Sequence, residues 1–182
     1  MRYASALLVA LTACCIGLAP SISATPRAEP PTAGDLRDCR TRGEGRGPQK
    51  LPTPPGVRVG PVILWPSLRL RTTRTSDVTW PFVAKAPVVL RARTKLVFAI
   101  APAAVSRAAF QSHRGGYVSA VRFVACRETQ QAFAYDGTIG RYTGFPFAIG
   151  LKQRSACVPV EVWLDGRSTP IRRVIPVGRR SC

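Results

Sequence analysis

His113 is the single histidine of the chain, in the polar run Gln111-Ser112-His113-Arg114-Gly115-Gly116. A histidine can act as general base to a serine held by hydrogen bond, with a carboxylate orienting the ring. Ser106, Ser112 or Ser119 would be the nucleophile, and Asp77 or Asp136 the orienting group. The Gly-x-Ser-x-Gly turn that exposes such a serine in many hydrolases is missing. Glycosidase chemistry needs two facing carboxylates, and the C-terminal domain offers only Asp77, Glu128, Asp136, Glu161 and Asp165. These acids are not clustered in sequence, so no Mg²⁺ or Ca²⁺ site is expected, and no cofactor is expected.

Cys126, His113 and an arginine would make a sortase-like thiol set. The strand end reads Phe123-Val124-Ala125-Cys126, however, and lacks that family's Thr-Leu-x-Thr-Cys. A disulfide at Cys126 would also remove the thiolate. The Ser-His-Gly-Cys run of L,D-transpeptidases is missing too. Among the cations, Arg91, Arg93 and Lys95 alternate with Val88, Leu90, Ala92, Thr94, Leu96, Phe98 and Ile100. That alternation predicts one long strand over 88–100, apolar inward, with a basic row outward. Charges two residues apart on a strand stand about 7 Å apart. Arg69, Arg71 and Arg74 would extend the row on a neighbouring strand. Tyr135, Tyr142, Phe145 and Trp163 offer an aromatic platform for carbohydrate, although strand aromatics more often serve the core.

These groups need elements to hold them. Val57–Trp65 alternates as a first strand, and Pro61 marks an edge or bulge. Leu68 and Leu70 make a short second strand or its continuation. Pro102–Arg114 has helical spacing for a turn or two and ends at Gly115-Gly116. Tyr117–Cys126 reads as a central strand, apolar on both faces. Gln131–Tyr135 is short and turns at Asp136-Gly137, and Phe145–Leu151 is apolar. Cys157–Leu164 and Pro170–Val177 read as a hairpin, with Val158, Val160, Val162 and Leu164 inward and Glu161 and Trp163 outward. Seven or eight strands with almost no helix predict an all-β fold over 57–182. The expected form is an antiparallel β-sandwich, Ig-like or a squashed barrel.

The N-terminal third reads differently. Residues 1–24 have the form of an export signal: Arg2, an uncharged Ala/Leu/Val run, then Ser21-Ile22-Ser23-Ala24 for cleavage. Leu11-Thr12-Ala13-Cys14 resembles a lipobox, which implies cleavage before Cys14 and lipidation of its sulfur. An uncleaved anchor helix over Tyr3–Thr25 is a third, poorer option. All three place the domain outside the cytoplasm. Residues 25–56 are rich in proline and glycine and read as a flexible arm.

Beyond Cys14 and Cys15, four cysteines remain at wide spacing: Cys39, Cys126, Cys157 and Cys182. In an exported chain that pattern predicts two disulfides, with three connectivities open. Cys157 begins one strand of the hairpin and Cys182 follows the other, which favours Cys157–Cys182 and leaves Cys39–Cys126.

The formal charge is +18 at pH 7. Such a field attracts nucleic acid, acidic wall polymers or anionic headgroups. Abundant Arg, Ala, Pro and Gly also follow from codon choice in a GC-rich genome, so charge alone defines no partner. No helix suited to reading DNA is visible, and sequence-specific nucleic-acid binding is not expected. Membrane contact is expected only through a lipid on Cys14.

Five stretches follow a familiar order: Val59-Gly60-Pro61-Val62, Phe123-Val124-Ala125-Cys126, Gly144-Phe145-Pro146-Phe147-Ala148-Ile149, Cys157-Val158-Pro159-Val160-Glu161-Val162-Trp163, and Gly178 to Cys182. In these the chain resembles a set of uncharacterised exported proteins of actinobacterial type. The resemblance implies export, disulfides and a β-fold, and carries no activity. The expected role is therefore non-enzymatic binding, or a structural role, at the cell envelope. Its partner would be an anionic surface polymer met by Arg91, Arg93 and Lys95, or an envelope protein. The alternative is an exported hydrolase or transpeptidase using His113.

Overall fold

Short apolar runs punctuated by glycine and proline cannot sustain helices, and they pair as strands instead. The computed structural model describes residues 29–43, 56–64, 70–127 and 142–182. The expected export signal, Cys14, half of the expected arm, Trp65 to Arg69 and Glu128 to Arg141 lie outside the described residues. In chain order the strands are β1 (Asp35–Arg37), β2 (Val57–Val59), β3 (Val62–Leu64), β4 (Thr73–Arg74), β5 (Phe82–Lys85), β6 (Val88–Arg91) and β7 (Lys95–Ile100). They continue with β8 (Ala108–Gln111), β9 (Tyr117–Val118), β10 (Ala120–Val124), β11 (Tyr142–Phe145), β12 (Ala148–Leu151), β13 (Ala156–Leu164) and β14 (Ile171–Val177). The helical spacing after Pro102 becomes a single 3₁₀ turn, Pro102–Ala104, and Ala108–Gln111 is strand.

Three sheets result, in the orders β1-β10-β7-β13-β14, β11-β6-β3-β2 and β4-β5-β12-β8-β9. All pairings between these strands are antiparallel except β1 with β10. The fold is thus essentially all-β and consistent with a β-sandwich.

Fourteen segments replace the seven or eight expected because several runs bend between sheets. Lys85 pairs with Ala148 in one sheet, while Val88 pairs with Phe145 in another. The bends fall at Ala86-Pro87 and Pro146-Phe147, where the Ala86 N–H donates to the Phe147 carbonyl at 2.9 Å. Proline brings no N–H to a ladder, so each corner sits where a ladder bond would be missing anyway. Ser119 divides Tyr117–Cys126 in the same way, between β9 and β10. Gly60, at φ 55°, and Pro61 turn the first predicted strand into the β2–β3 hairpin.

The predicted strand over 88–100 is also two strands in two sheets. β6 ends at Arg91, Ala92-Arg93-Thr94 turns, and β7 starts at Lys95. The inward set remains buried apart from Thr94, which is half-buried in the turn, because both sheets face the same core. Five phenylalanines join the sheets there. Phe98 of β7 lies 4.8 Å from Phe110 of β8, Phe110 lies 4.9 Å from Phe147, and Phe123 of β10 lies 5.2 Å from Phe145 of β11, between ring centroids. The C-terminal hairpin forms as read, but Glu161 and Trp163 are buried on the outer face, not solvated. The Trp163 indole N–H donates to Glu161 Oε2 at 3.2 Å, and Arg172 Nε donates to Oε1 at 2.9 Å.

Disulfides join Cys39 to Cys126 and Cys157 to Cys182, with Cα atoms 5.3 and 5.6 Å apart. No described helix is long and apolar enough to cross a membrane.

Candidate functional site

Part of the presumed arm is folded. β1 lies along β10, and its Asp35 and Arg37 are 5% and 3% exposed while Leu36 between them is 45% exposed. Charge inside and leucine outside inverts the usual pattern. It is tolerated because every charge there has partners. Arg37 Nε donates to Asp35 Oδ2 at 2.9 Å, and the guanidinium also donates to the carbonyls of Gln111, at 2.7 Å, and Pro146. The His113 N–H donates to Asp35 Oδ2 at 3.1 Å, and His113 Nδ1 bonds Oδ1. Burial pushes the Asp35 carboxyl up. The Arg37 hydrogen bond, the His113 backbone N–H, the charge of Arg37 and the His113 ring outweigh it and bring the group below its ordinary value.

An aspartate against Nδ1 of a part-exposed histidine is two-thirds of a hydrolytic triad. The carboxylate comes from Asp35, which the sequence reading left in the arm. Asp77 is used elsewhere: its Oδ1 accepts the N–H groups of Thr79 and Trp80. Burial, and then the charge of Asp77, raise the nearby Tyr117 phenol. Asp136 lies outside the described residues. Among the described residues, no hydroxyl or thiol bonds the second ring nitrogen of His113. Ser112 Oγ accepts the Arg114 N–H, Ser106 and Ser119 are exposed, and Cys126 is in a disulfide. Arg37 and Asp35 tie the first sheet to Gln111 of the third and to the Pro146 corner. The arrangement is that of a polar rivet.

The expected basic row does not exist as one strand face. Arg91 ends β6 in the second sheet, Lys95 begins β7 in the first, and Arg93 occupies the turn between them. Arg93 has φ 66°, the one positive φ at a non-glycine among the described residues. That conformation costs an ordinary residue about 1–2 kcal/mol, and it is held by hydrogen bonds. The Arg93 N–H donates to the Cys126 carbonyl at 2.9 Å, and the Ala125 N–H to the Thr94 carbonyl at 2.8 Å. Cys126 is fixed in turn by its N–H to the buried Thr143 hydroxyl, 2.9 Å, and by the disulfide that brings in Cys39.

The turn therefore closes one wall of an open groove of about 720 Å³, lined by Asp38, Cys39, Arg40, Arg93, Lys95, Val124, Ala125 and Arg127. Four cations face one acid there. Asp38 Oδ1 accepts the Arg40 backbone N–H at 2.8 Å, which closes a local turn. Sequence reasoning found Arg93 and Lys95 but missed Arg40 and Arg127. The available signal was the disulfide itself, since pairing Cys39 with Cys126 makes their neighbours Arg40 and Arg127 meet.

The other expected groups disperse. Arg74 is on β4 and Arg71 lies near the C-terminal segment, while Arg69 is outside the described residues. Phe145 and Trp163 are buried, so they form no open aromatic platform with Tyr142. Tyr135 is outside the described residues. No cluster of three metal-ligating side chains occurs among the described residues.

The fold and site define an all-β domain carrying two disulfides, of the kind an oxidising compartment outside the cytosol sustains. Comparison with known protein families, curated proteins and solved structures finds no match for this chain.

Proposed function

We propose that the chain is an exported cell-envelope protein that binds an anionic surface polymer without catalysis. The carrying observation is the groove of Arg40, Arg93, Lys95 and Arg127 beside the Cys39–Cys126 disulfide. It is open to solvent, and guanidinium forks suit phosphate oxygens. The strained backbone at Arg93 supports the same reading, because such conformations collect at functional positions. The domain is read as an Ig-like sandwich or squashed barrel whose sheets are joined at the Pro87 and Pro146 corners. Residues 1–24 act as the export signal, and lipidation at Cys14 would add a membrane anchor.

The test is titration with a glycerol-phosphate polymer of teichoic-acid type. Binding should weaken as salt rises and should drop sharply in the R40Q/R93Q/K95Q variant. Binding that survives high salt, or that the variant retains, rejects the proposal.

The Asp35–His113 pair favours a second reading, an exported hydrolase or transpeptidase using His113. H113A separates the two: polymer binding persists under the first, and turnover of envelope substrates is lost under the second.

A further inference from the structure

A different cluster lies at the other end of the first sheet. Arg71, Arg154, Arg179 and Arg180, with Leu70, Thr72 and Gly178, line a pocket of about 380 Å³. No carboxylate lines it, and none of these four arginines forms an ion pair among the described residues.

The backbone fixes this arrangement. Leu70 bridges Val177 in parallel, and the Gly178 N–H donates to the Leu70 carbonyl at 2.6 Å. The Thr72 hydroxyl donates to the Arg154 carbonyl at 2.8 Å. At Gly178 the chain reverses with φ 71°, and a Cβ there would fall on the Arg154 carbonyl oxygen. Only glycine fits that approach. The Cys157–Cys182 disulfide then holds the tail beyond Arg179 and Arg180. Without these ties a terminal Arg-Arg pair would swing into solvent, away from two like charges. Holding four guanidiniums together is unfavourable until an anion neutralises them, and preorganisation lowers the entropic cost of binding one.

We infer that this pocket binds a phosphoryl group. Several guanidinium forks match an anion with three peripheral oxygens and more than one negative charge. A single carboxylate would leave forks unused. The site is separate from the groove. Leu164, at one end of β13, pairs with Leu96 beside Lys95, whereas Ala156, at the other end, pairs with Val177 beside Gly178. Nine strand residues set these ends about 26 Å apart, beyond the roughly 10 Å screening length at ordinary ionic strength. Charge changes in the groove therefore leave this pocket unaltered.

Calorimetric titration of the disulfide-intact protein with inorganic tripolyphosphate tests this, with citrate as a carboxylate control of comparable charge. Tripolyphosphate should bind more tightly than citrate. The R154Q/R179Q variant should lose about tenfold or more in affinity, the scale of a charged hydrogen bond, while R93Q/K95Q should bind as wild type does. Equal binding of citrate, undiminished binding by R154Q/R179Q, or a loss in R93Q/K95Q instead would overturn the inference. All four pocket arginines are exposed, so the glutamine variants should fold, and thermal unfolding checks this. Failure of the groove proposal would appear with the glycerol-phosphate polymer and leave this outcome untouched.

Discussion

Replacing Asp35 by alanine removes the one carboxylate, among the described residues, within reach of a guanidinium that is itself 3% exposed. Breaking a buried pair by deleting one partner costs about 3–5 kcal/mol, because the remaining charge stays out of water. Arg37 keeps its bonds to the Gln111 and Pro146 carbonyls, so the lower end, about 3 kcal/mol, is expected. For a domain of this size each kcal/mol shifts Tm by about 2–4 °C, which gives a fall of about 6–12 °C. The loss should also depend on pH. The folded-state carboxyl lies below its ordinary value of 3.8, so its contribution is complete above that value and vanishes as pH falls through the lowered one. Wild type should therefore lose stability on acidification in a window where D35A loses less. The assay is thermal and urea unfolding followed by circular dichroism, without reductant, from neutral pH to about pH 2. A D35L/R37M variant, which leaves no orphaned charge, should recover much of the loss. A D35A cost under about 1 kcal/mol would refute the rivet, because it would mean Arg37 never depended on Asp35.

Two further outcomes follow from the same geometry. R93G relieves the positive-φ strain of about 1–2 kcal/mol against a glycine entropy cost of about 0.5–1 kcal/mol. Stability should hold or rise slightly in urea unfolding while polymer binding weakens, and a large destabilisation would make Arg93 structural instead. F98A removes a fully buried ring of the phenylalanine cluster and should cost about 3–5 kcal/mol in the same assay, whereas a loss near that of an exposed site would show that the sheets do not share this core.

The inward face of 88–100 was legible in the sequence, but its chain path was not. Val88, Leu90, Leu96, Phe98 and Ile100 are all buried, since parity reports only which side faces the core. It is blind to a turn between two sheets facing one core, and Ala92-Arg93-Thr94 carries no glycine, proline or asparagine to announce one. Residues 35–37 read as part of the flexible arm, and hydropathy gives no sign of a strand there, because the leucine is the exposed residue and the charges are inside. Asp and Arg two residues apart, close before Cys39, were the available signal. The C-terminal hairpin was legible because its alternation, its Asp165-Gly166 turn and its cysteines agree. Trp163 and Glu161 escaped because each partners the other on the outer face, which no period records.

The basic excess takes on meaning once the acids are located. Asp35 is committed to Arg37 and His113, Glu161 to Arg172 and Trp163, Asp77 to the backbone at Thr79 and Trp80, and Asp38 to the Arg40 N–H. With nine acids against 27 cations in the chain, most described carboxylates are spent on internal structure. Codon choice would raise the number of arginines, but it would scatter the surplus. The folded chain instead gathers part of it at the two ends of one sheet, each beside a disulfide that draws in arginines flanking or preceding its cysteines. Reduction should then impair anion binding at both ends while charge stays the same. If binding to the polymer and to tripolyphosphate were unchanged after reduction of a still-folded protein, net charge alone would account for it.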